Sequence, residues 1–184
     1  ARQMDPQQRI LLENVWCALE HAGLSVDQIP KGRVGIFIGA FNHDYQFLQL
    51  KDGGKSGVSP YFWTGSSTSM LAGRLAYRLG ARGPSIVVDT ACSSSLVALH
   101  LARQAILNGD CDIAIVSGVN LILSDEVNSA FEQAGMLSND GRCKMFDKSA
   151  NGYVRSEGVC SLILKTSAAA RKDKDCIYGL LLAT

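Results

Sequence analysis

The chain has 184 residues, is 47% hydrophobic and carries a formal net charge of +1 from 18 Lys and Arg against 17 Asp and Glu, which suits one globular domain, or part of one, with a real apolar core. The near-zero balance excludes a basic nucleic-acid face and a long acidic tail, and no apolar run reaches the roughly 18 residues of a membrane span or resembles a signal peptide. Six cysteines, at positions 17, 92, 111, 143, 160 and 176, make no C-x-x-C pair and have no close histidine partners, so neither a zinc site nor a disulfide framework is expected and a reducing, cytoplasmic setting fits.

In chain order, Asp5-Pro6 reads as an N-cap with proline at the first helical position, and Ile10, Leu11, Val15, Ala18, Leu19 and Ala22 recur at helical spacing up to Gly23. Ile29 to Gly32 reads as a turn, and Arg33 to Ala40 as a buried strand. Phe41 to Tyr61 is polar and aperiodic and is expected to be a long surface excursion. It holds Gly54-Lys55-Ser56, which looks like the end of a phosphate-binding loop, but the match fails because position 49 is Gln and no strand precedes it. Ser66 to Gly80 is helical, with Leu71, Leu75 and Leu79 on one stripe, Gly80 as its stop, and Arg74 and Arg78 on a neighbouring face suited to surface or subunit contacts.

Ile86 to Val88 reads as a strand buried on both faces, Leu96 to Leu107 as a nearly all-apolar buried helix ended by Asn108-Gly109, and Ile113 to Val116 as a further, parallel strand. Beyond these lie an apolar continuation to Leu123, a short helix over Asp125 to Ala134, and a loop from Met136 to Met145 with a turn at Asn139-Asp140-Gly141. A turn-rich Asp147 to Glu157 follows. Val159 to Lys165 and Cys176 to Ala183 read as strands, joined by a short charged segment whose run Arg171 to Asp175 is a solvated turn. The pattern is α/β.

Cys92 falls where the strand turns into the helix. The first N–H groups of a helix are unpaired and its dipole is positive there, so the position favours a thiolate and offers donors to the oxyanion formed when a thiolate attacks a thioester or ester carbonyl. A cysteine is often only a small buried apolar residue. The flanking Thr90-Ala91-Cys92-Ser93-Ser94-Ser95 argues otherwise, since three serines have no use in an apolar core and suit a polar pocket floor. A cysteine nucleophile needs a proton-transfer partner, usually histidine. His21 falls at a helix end and His43 in a loop, while His100 stands eight residues along the helix, about 12 Å beyond Cys92. The base is therefore expected outside these 184 residues, and the chain, which starts at Ala1 and stops inside an apolar run, reads as a piece cut from a longer protein at both ends.

Met4-Asp5-Pro6-Gln7-Gln8-Arg9, Thr64-Gly65 to Gly73-Arg74-Leu75, Gly83-Pro84-Ser85, Asp89-Thr90-Ala91-Cys92-Ser93-Ser94-Ser95-Leu96, Gly118-Val119-Asn120, Leu137 to Cys143 and Gly152-Tyr153-Val154-Arg155-Ser156-Glu157-Gly158 together resemble the β-ketoacyl synthase domain of type I polyketide synthases. The motifs run in family order over nearly the whole chain. Cys17, Asn151 and Cys160 stand where the family usually has Glu, Asp and a small Gly or Ala.

The resemblance implies a thiolase-like layered α-β-α-β-α fold, of which residues 1–184 would be most of the first half. It implies that Cys92 takes an acyl group as a thioester from the phosphopantetheine arm of an acyl carrier protein, its backbone N–H contributing to the oxyanion hole, and that the domain binds no cofactor of its own. Two histidines and a lysine in motifs beyond Thr184 would then support decarboxylation of a malonyl-type extender and a Claisen condensation in polyketide or fatty acid elongation. Homodimerisation through the strand Ser85 to Asp89, with the Tyr61 to Ser67 loop near the subunit boundary, and neighbouring synthase domains are implied as well. Alternatives are a thiolase-fold acyltransferase without decarboxylation and a non-catalytic dimerisation module. The fragment alone is expected to be inactive in condensation and poorly soluble.

Overall fold

Strand β1, Val34–Gly39, is buried along its whole length, and its alternation separates the layers. Val34, Ile36 and Ile38 join one apolar cluster while Phe37 joins another, as the two-residue period of a strand requires. The computed structural model describes residues 3–31, 33–53 and 59–184. Among these, β1 lies inside a four-stranded sheet with β2, Ser85–Val88, β3, Ile113–Asn120, and β4, Gly158–Lys165, in the order β2-β1-β3-β4. β1 is parallel to both β2 and β3, and β4 runs antiparallel to β3.

One face is covered by α1, Pro6–His21, and α4, Ser69–Leu79: Leu11, Val15 and Leu19 from the first and Leu71, Leu75 and Leu79 from the second pack on Val34, Ile36, Ile38, Ile115 and Val119. The expected caps are present. Asp5 accepts the N–H of Gln7 at 2.8 Å, and Gly80 closes α4 at φ 64°, a left-handed conformation that costs glycine little. The other face is covered by α5, Ser94–Leu107, whose Ala98, Ala102 and Ala105 pack on Phe37, Val88, Ala114 and Val116.

Four expectations are corrected. Ile86 to Val88 is not buried on both faces: β2 is the sheet edge, Ser85 and Ile86 are exposed, and a β-branched run reads alike in edge and central strands. The helix after Cys92 buries only its alanine line and Ser94, while Leu96 and Leu107 point outward at 71% and 61% exposure. The excursion from Phe41 contains α2, Asp44–Gly53, and a further short helix, α3, Phe62–Ser66, precedes α4; Gly54-Lys55-Ser56 and Gly32 lie outside the described residues. Cys176 to Ala183 forms no strand; side-chain ties hold it to two helices instead, with Tyr178 stacked on His21, Arg103 donating to the Leu182 carbonyl, and His100 Nδ1 2.8 Å from Thr184 Oγ1.

The remaining elements, α6, Glu126–Gln133, and α7, Ser167–Asp173, fall where a short helix and a charged helical segment are expected. The charged run is more than a solvated turn. Asp173 and Asp175 each meet Lys165 Nζ at 2.6 Å; burial opposes the Lys165 charge, yet the two carboxylates hold its ammonium above the ordinary value. Leu11 is fully buried between α1 and the sheet, so Leu11→Ala is expected to lower the unfolding free energy by about 2–5 kcal/mol, checked by chemical denaturation.

Candidate active site

The site is set by two glycines. Gly39 and Gly118 are partners in the β1–β3 register, at the carboxyl ends of parallel strands. A Cβ on Gly39 would stand 2.5 Å from Ser95 N and one on Gly118 would stand 2.5 Å from Ser95 Oγ. A side chain at Gly39 would run into helix backbone and one at Gly118 would displace the Ser95 hydroxyl, and the first turn of α5 settles onto this bare patch of sheet. Immediately before it, Ala91 to Ser93 forms one tight 3₁₀ turn in which Ala91 is held at φ 53°. A non-glycine residue there costs on the order of 1–3 kcal/mol, a strain that the surrounding structure must impose.

That structure is a set of hydrogen bonds closed within the turn. Ser94 Oγ accepts the Thr90 N–H at 2.9 Å and donates to the Ala91 carbonyl at 2.6 Å; Asp89 Oδ1 accepts the Ala91 N–H at 3.1 Å; Ser93 Oγ reaches the Thr90 carbonyl at 2.9 Å. Ser93 and Ser94 are thus occupied in bracing the turn, and Ser95 lines a groove. Cys92, directly before them, is exposed, and its N–H has no acceptor among the described residues. A sharp strand-to-helix turn that exposes a nucleophile beside a free N–H is the arrangement acyl transfer requires. A groove of about 460 Å³ opens over the sheet at Ser95, three residues after Cys92, and is lined also by Leu96, Val116, Asn120, Glu157 and Cys160 among others.

None of the three histidines is hydrogen-bonded to Cys92 among the described residues. His21 Nε2 lies 2.6 Å from the Tyr178 hydroxyl, His100 is tied to Thr184, and His43 faces Asp5, whose carboxyl burial pushes up from its ordinary value against the hydrogen bonds from Gln7. The structure also assigns work to residues whose role the sequence pattern does not show. Gln7 Nε2 donates to the Asn42 carbonyl, Asn42 Nδ2 to the Leu121 carbonyl, and Gln8 Nε2 to the Gly65 carbonyl. Arg74, expected on the surface, donates to Gln8 Oε1 at 2.9 Å and to the Thr64 carbonyl at 2.8 Å. An Asn and an Asp two positions apart, opening Tyr45-Gln46-Phe47-Leu48, is the available signal for the buried α2 start.

The sequence profile described as beta-ketoacyl synthase, N-terminal domain, matches residues 1–170. The chain belongs to the β-ketoacyl synthase family. It is 48% identical, over its full length, to the highly reducing polyketide synthase dmxL2 of Cryptosporiopsis sp. (strain 8999), of which it covers 8%. It is 46% identical, again over its full length, to the cluster 41 polyketide synthase of Aspergillus flavus, covering 16% of that protein. The chain thus spans only a small part of each of these relatives. Among solved structures, the ketosynthase from module 6 of the bacillaene synthase of Bacillus subtilis 168 superposes with a TM-score of 0.85 at 41% identity, over 96% of this chain and 29% of that one. The fold is the thiolase-like fold of ketosynthases, and the α-β-α layers above are the part of it that these residues build.

Of the ketosynthase motifs, the loop from Leu137 to Gly158 is braced by polar side chains. Asp140 meets Lys144 Nζ at 2.6 Å, and Lys144 also donates to Asn151 Oδ1 at 2.9 Å, so Asn151 keeps an acceptor where the family usually has Asp. The Lys144 hydrogen bond, helped by Ser138, holds the Asp140 carboxyl down from 3.8 to about 2. A carboxylate lowered by folding stabilises the folded loop above its unfolded value, and that contribution is lost as pH falls toward its folded value. Asp140 is therefore expected to titrate near 2, with the loop loosening between about 3.8 and about 2; the Asp140 carboxyl shift followed by NMR in acid checks both. Gly39→Val is expected to displace the α5 start and cost about 1–3 kcal/mol or more, measured as a lower unfolding midpoint.

Proposed function

We propose that residues 1–184 are most of the first half of a ketosynthase domain whose full-length parent elongates an acyl chain by decarboxylative Claisen condensation, with Cys92 as its nucleophile. The observation that carries this reading is the exposed Cys92 on a strained strand-to-helix turn with its own N–H free of any acceptor among the described residues. The Cys92 thiolate attacks the thioester carbonyl of an acyl-pantetheine carried by an acyl carrier protein. The C–S bond to pantetheine breaks, the pantetheine thiolate takes up a proton, and the acyl group remains on Cys92 as a new thioester. The Cys92 N–H and the dipole of α5 favour the tetrahedral oxyanion in between. A malonyl-type extender then loses CO₂, its carbanion attacks the acyl-Cys92 carbonyl, and the Cys92 thiolate leaves. Two histidines and a lysine for that second step come from the family motifs of the parent's remaining sequence, so the fragment by itself does not condense.

No bound cofactor is part of this reading. The parent works in the cytoplasm beside neighbouring synthase domains; among the described residues no helix is long and apolar enough to cross a membrane. It is a homodimer through β2, a reading supported by the place of β2 at the sheet edge and by the exposure of Ile86, since an unpaired apolar edge invites a second strand.

Acyl-pantetheine thioesters are expected to label the full-length parent covalently and to leave Cys92→Ala at background, as read by intact-protein mass spectrometry; equal labelling of the variant would refute the assignment. Ile86→Lys is expected to convert dimer to monomer in sedimentation analysis, and an unchanged sedimentation coefficient would remove β2 from the interface.

A further inference from the structure

Directly after β3, the backbone from Leu121 to Ser124 has left the sheet and lies outside any helix, yet none of its N–H groups is spare. Leu121 N–H donates to Gln7 Oε1 at 3.2 Å, Ile122 N–H to Glu157 Oε1 at 2.8 Å, and Leu123 and Ser124 N–H both to Asp44 Oδ2 at 2.9 and 3.1 Å. Four consecutive donors are taken by side-chain oxygens from three distant parts of the chain. A run of backbone held in this way is as fully satisfied as a strand but is shaped by the acceptors rather than by a neighbouring ladder. Two of the acceptors are carboxylates, whose hydrogen bonds to N–H groups are the stronger kind.

The acceptors are themselves fixed. Asp44 is 1% exposed and its own N–H is held by Asn42 Oδ1 at 2.7 Å. Gln7 is buried, with its amide donating to the Asn42 carbonyl, and Glu157 stands one residue before β4, whose Gly158 pairs with Asn120. Asn42 also donates to the Leu121 carbonyl, closing the arrangement from the other side. The splint reaches the nucleophile through β1: Ala40 N–H donates to the Val88 carbonyl at 3.2 Å, and Val88 is the residue before Asp89 and the turn. On its other side it continues from Asn120, which with Glu157 lines the groove that opens at Ser95, three residues after Cys92.

We propose that Gln7, Asp44 and Glu157 are positioning residues of the acyl-transfer site, fixing residues 121–124 and through them Asn120, which lines with Ser95 and Glu157 the groove that takes the incoming acyl chain. The proposal rests on the acyl-transfer reading above. Glu157 is the residue to test, because its side chain is exposed and its loss leaves the core intact. In the full-length parent, kcat/KM for Cys92 acylation is measured over a series of acyl-pantetheine chain lengths, well below the melting temperature of each variant.

Glu157→Ala is expected to lower kcat/KM by about tenfold or more and to alter the chain-length preference, since misplacing a reacting group by about 1 Å can cost on the order of 100-fold. Glu157→Gln and Asp44→Asn, which each keep an oxygen acceptor, are expected to stay within about threefold of the unaltered parent. Wild-type kcat/KM at every chain length in Glu157→Ala, even with a lowered melting temperature, would reduce the splint to a structural brace and overturn the proposal. So would a Glu157→Gln variant as slow as Glu157→Ala. Cys92→Ala runs beside these as a separate arm: labelling that survives in it withdraws the acyl-transfer reading, whereas the splint is judged on the Glu157 pair.

Discussion

The close approach of a helix start to bare sheet is the constraint on which the molecule depends. Gly39 and Gly118 are neighbours in the β1–β3 register, and together they let Ser94 and Ser95 rest where a side chain on Gly39 would meet their backbone and one on Gly118 the Ser95 hydroxyl. Because α5 is seated there, the turn before it has little room. Ala91 is pressed into a left-handed conformation, the Ser93 and Ser94 hydroxyls turn back onto the Thr90 and Ala91 carbonyls to hold it, and Cys92 is left exposed. The alanine line of α5 serves the same end lower down: small side chains at Ala98, Ala102 and Ala105 keep the helix near enough to the sheet for its first turn to reach the glycines.

A second layer of organisation lies behind this one. The carboxyl ends of β2, β1 and β3 stand side by side, the usual place for a site in an open α/β sheet, and the loops leaving them are tied by buried polar side chains rather than by further strands. Asp5, Gln7, Asn42 and Asp44 are buried or nearly so, and each has a backbone partner. The first helix and the second are thereby locked to the end of β3. The Met4 to Arg9 motif gains a physical meaning: its polar residues face inward to hold loops, while Leu11, Val15 and Leu19 hold the sheet.

Much of this is legible in the sequence. Period-two alternation identifies β1 and period-3.6 stripes identify α1 and α4, because in each case the apolar pattern is set by a partner contained in the chain. The strand-to-helix turn at Cys92 is legible from residue chemistry, Thr90 to Ser95 being too polar for a core. Reading fails where burial depends on surroundings that residue type does not encode. Ile86 to Val88 and Leu96 to Leu107 have apolar composition but face outward along much of their surface. Asn42, Asp44 and Glu157 fail in the opposite sense, polar residues whose task is set by backbone donors far away in sequence. The serines of the turn stand out, yet nothing in their order distinguishes bracing the backbone from lining a pocket.

Ala91 carries a consequence for when the turn around Cys92 takes its shape. A glycine at this position would visit the left-handed region freely in the unfolded chain; an alanine avoids it. The fixed arrangement of the Cys92 thiol against its own amide therefore comes into being only when the strand, the helix and the glycine floor have assembled around them. Before that moment Cys92 is one thiol among six, on a chain still being made. The geometry of this turn is thus a product of completed folding, assembled from the strand, the helix and the glycine floor rather than written into the six residues that make it.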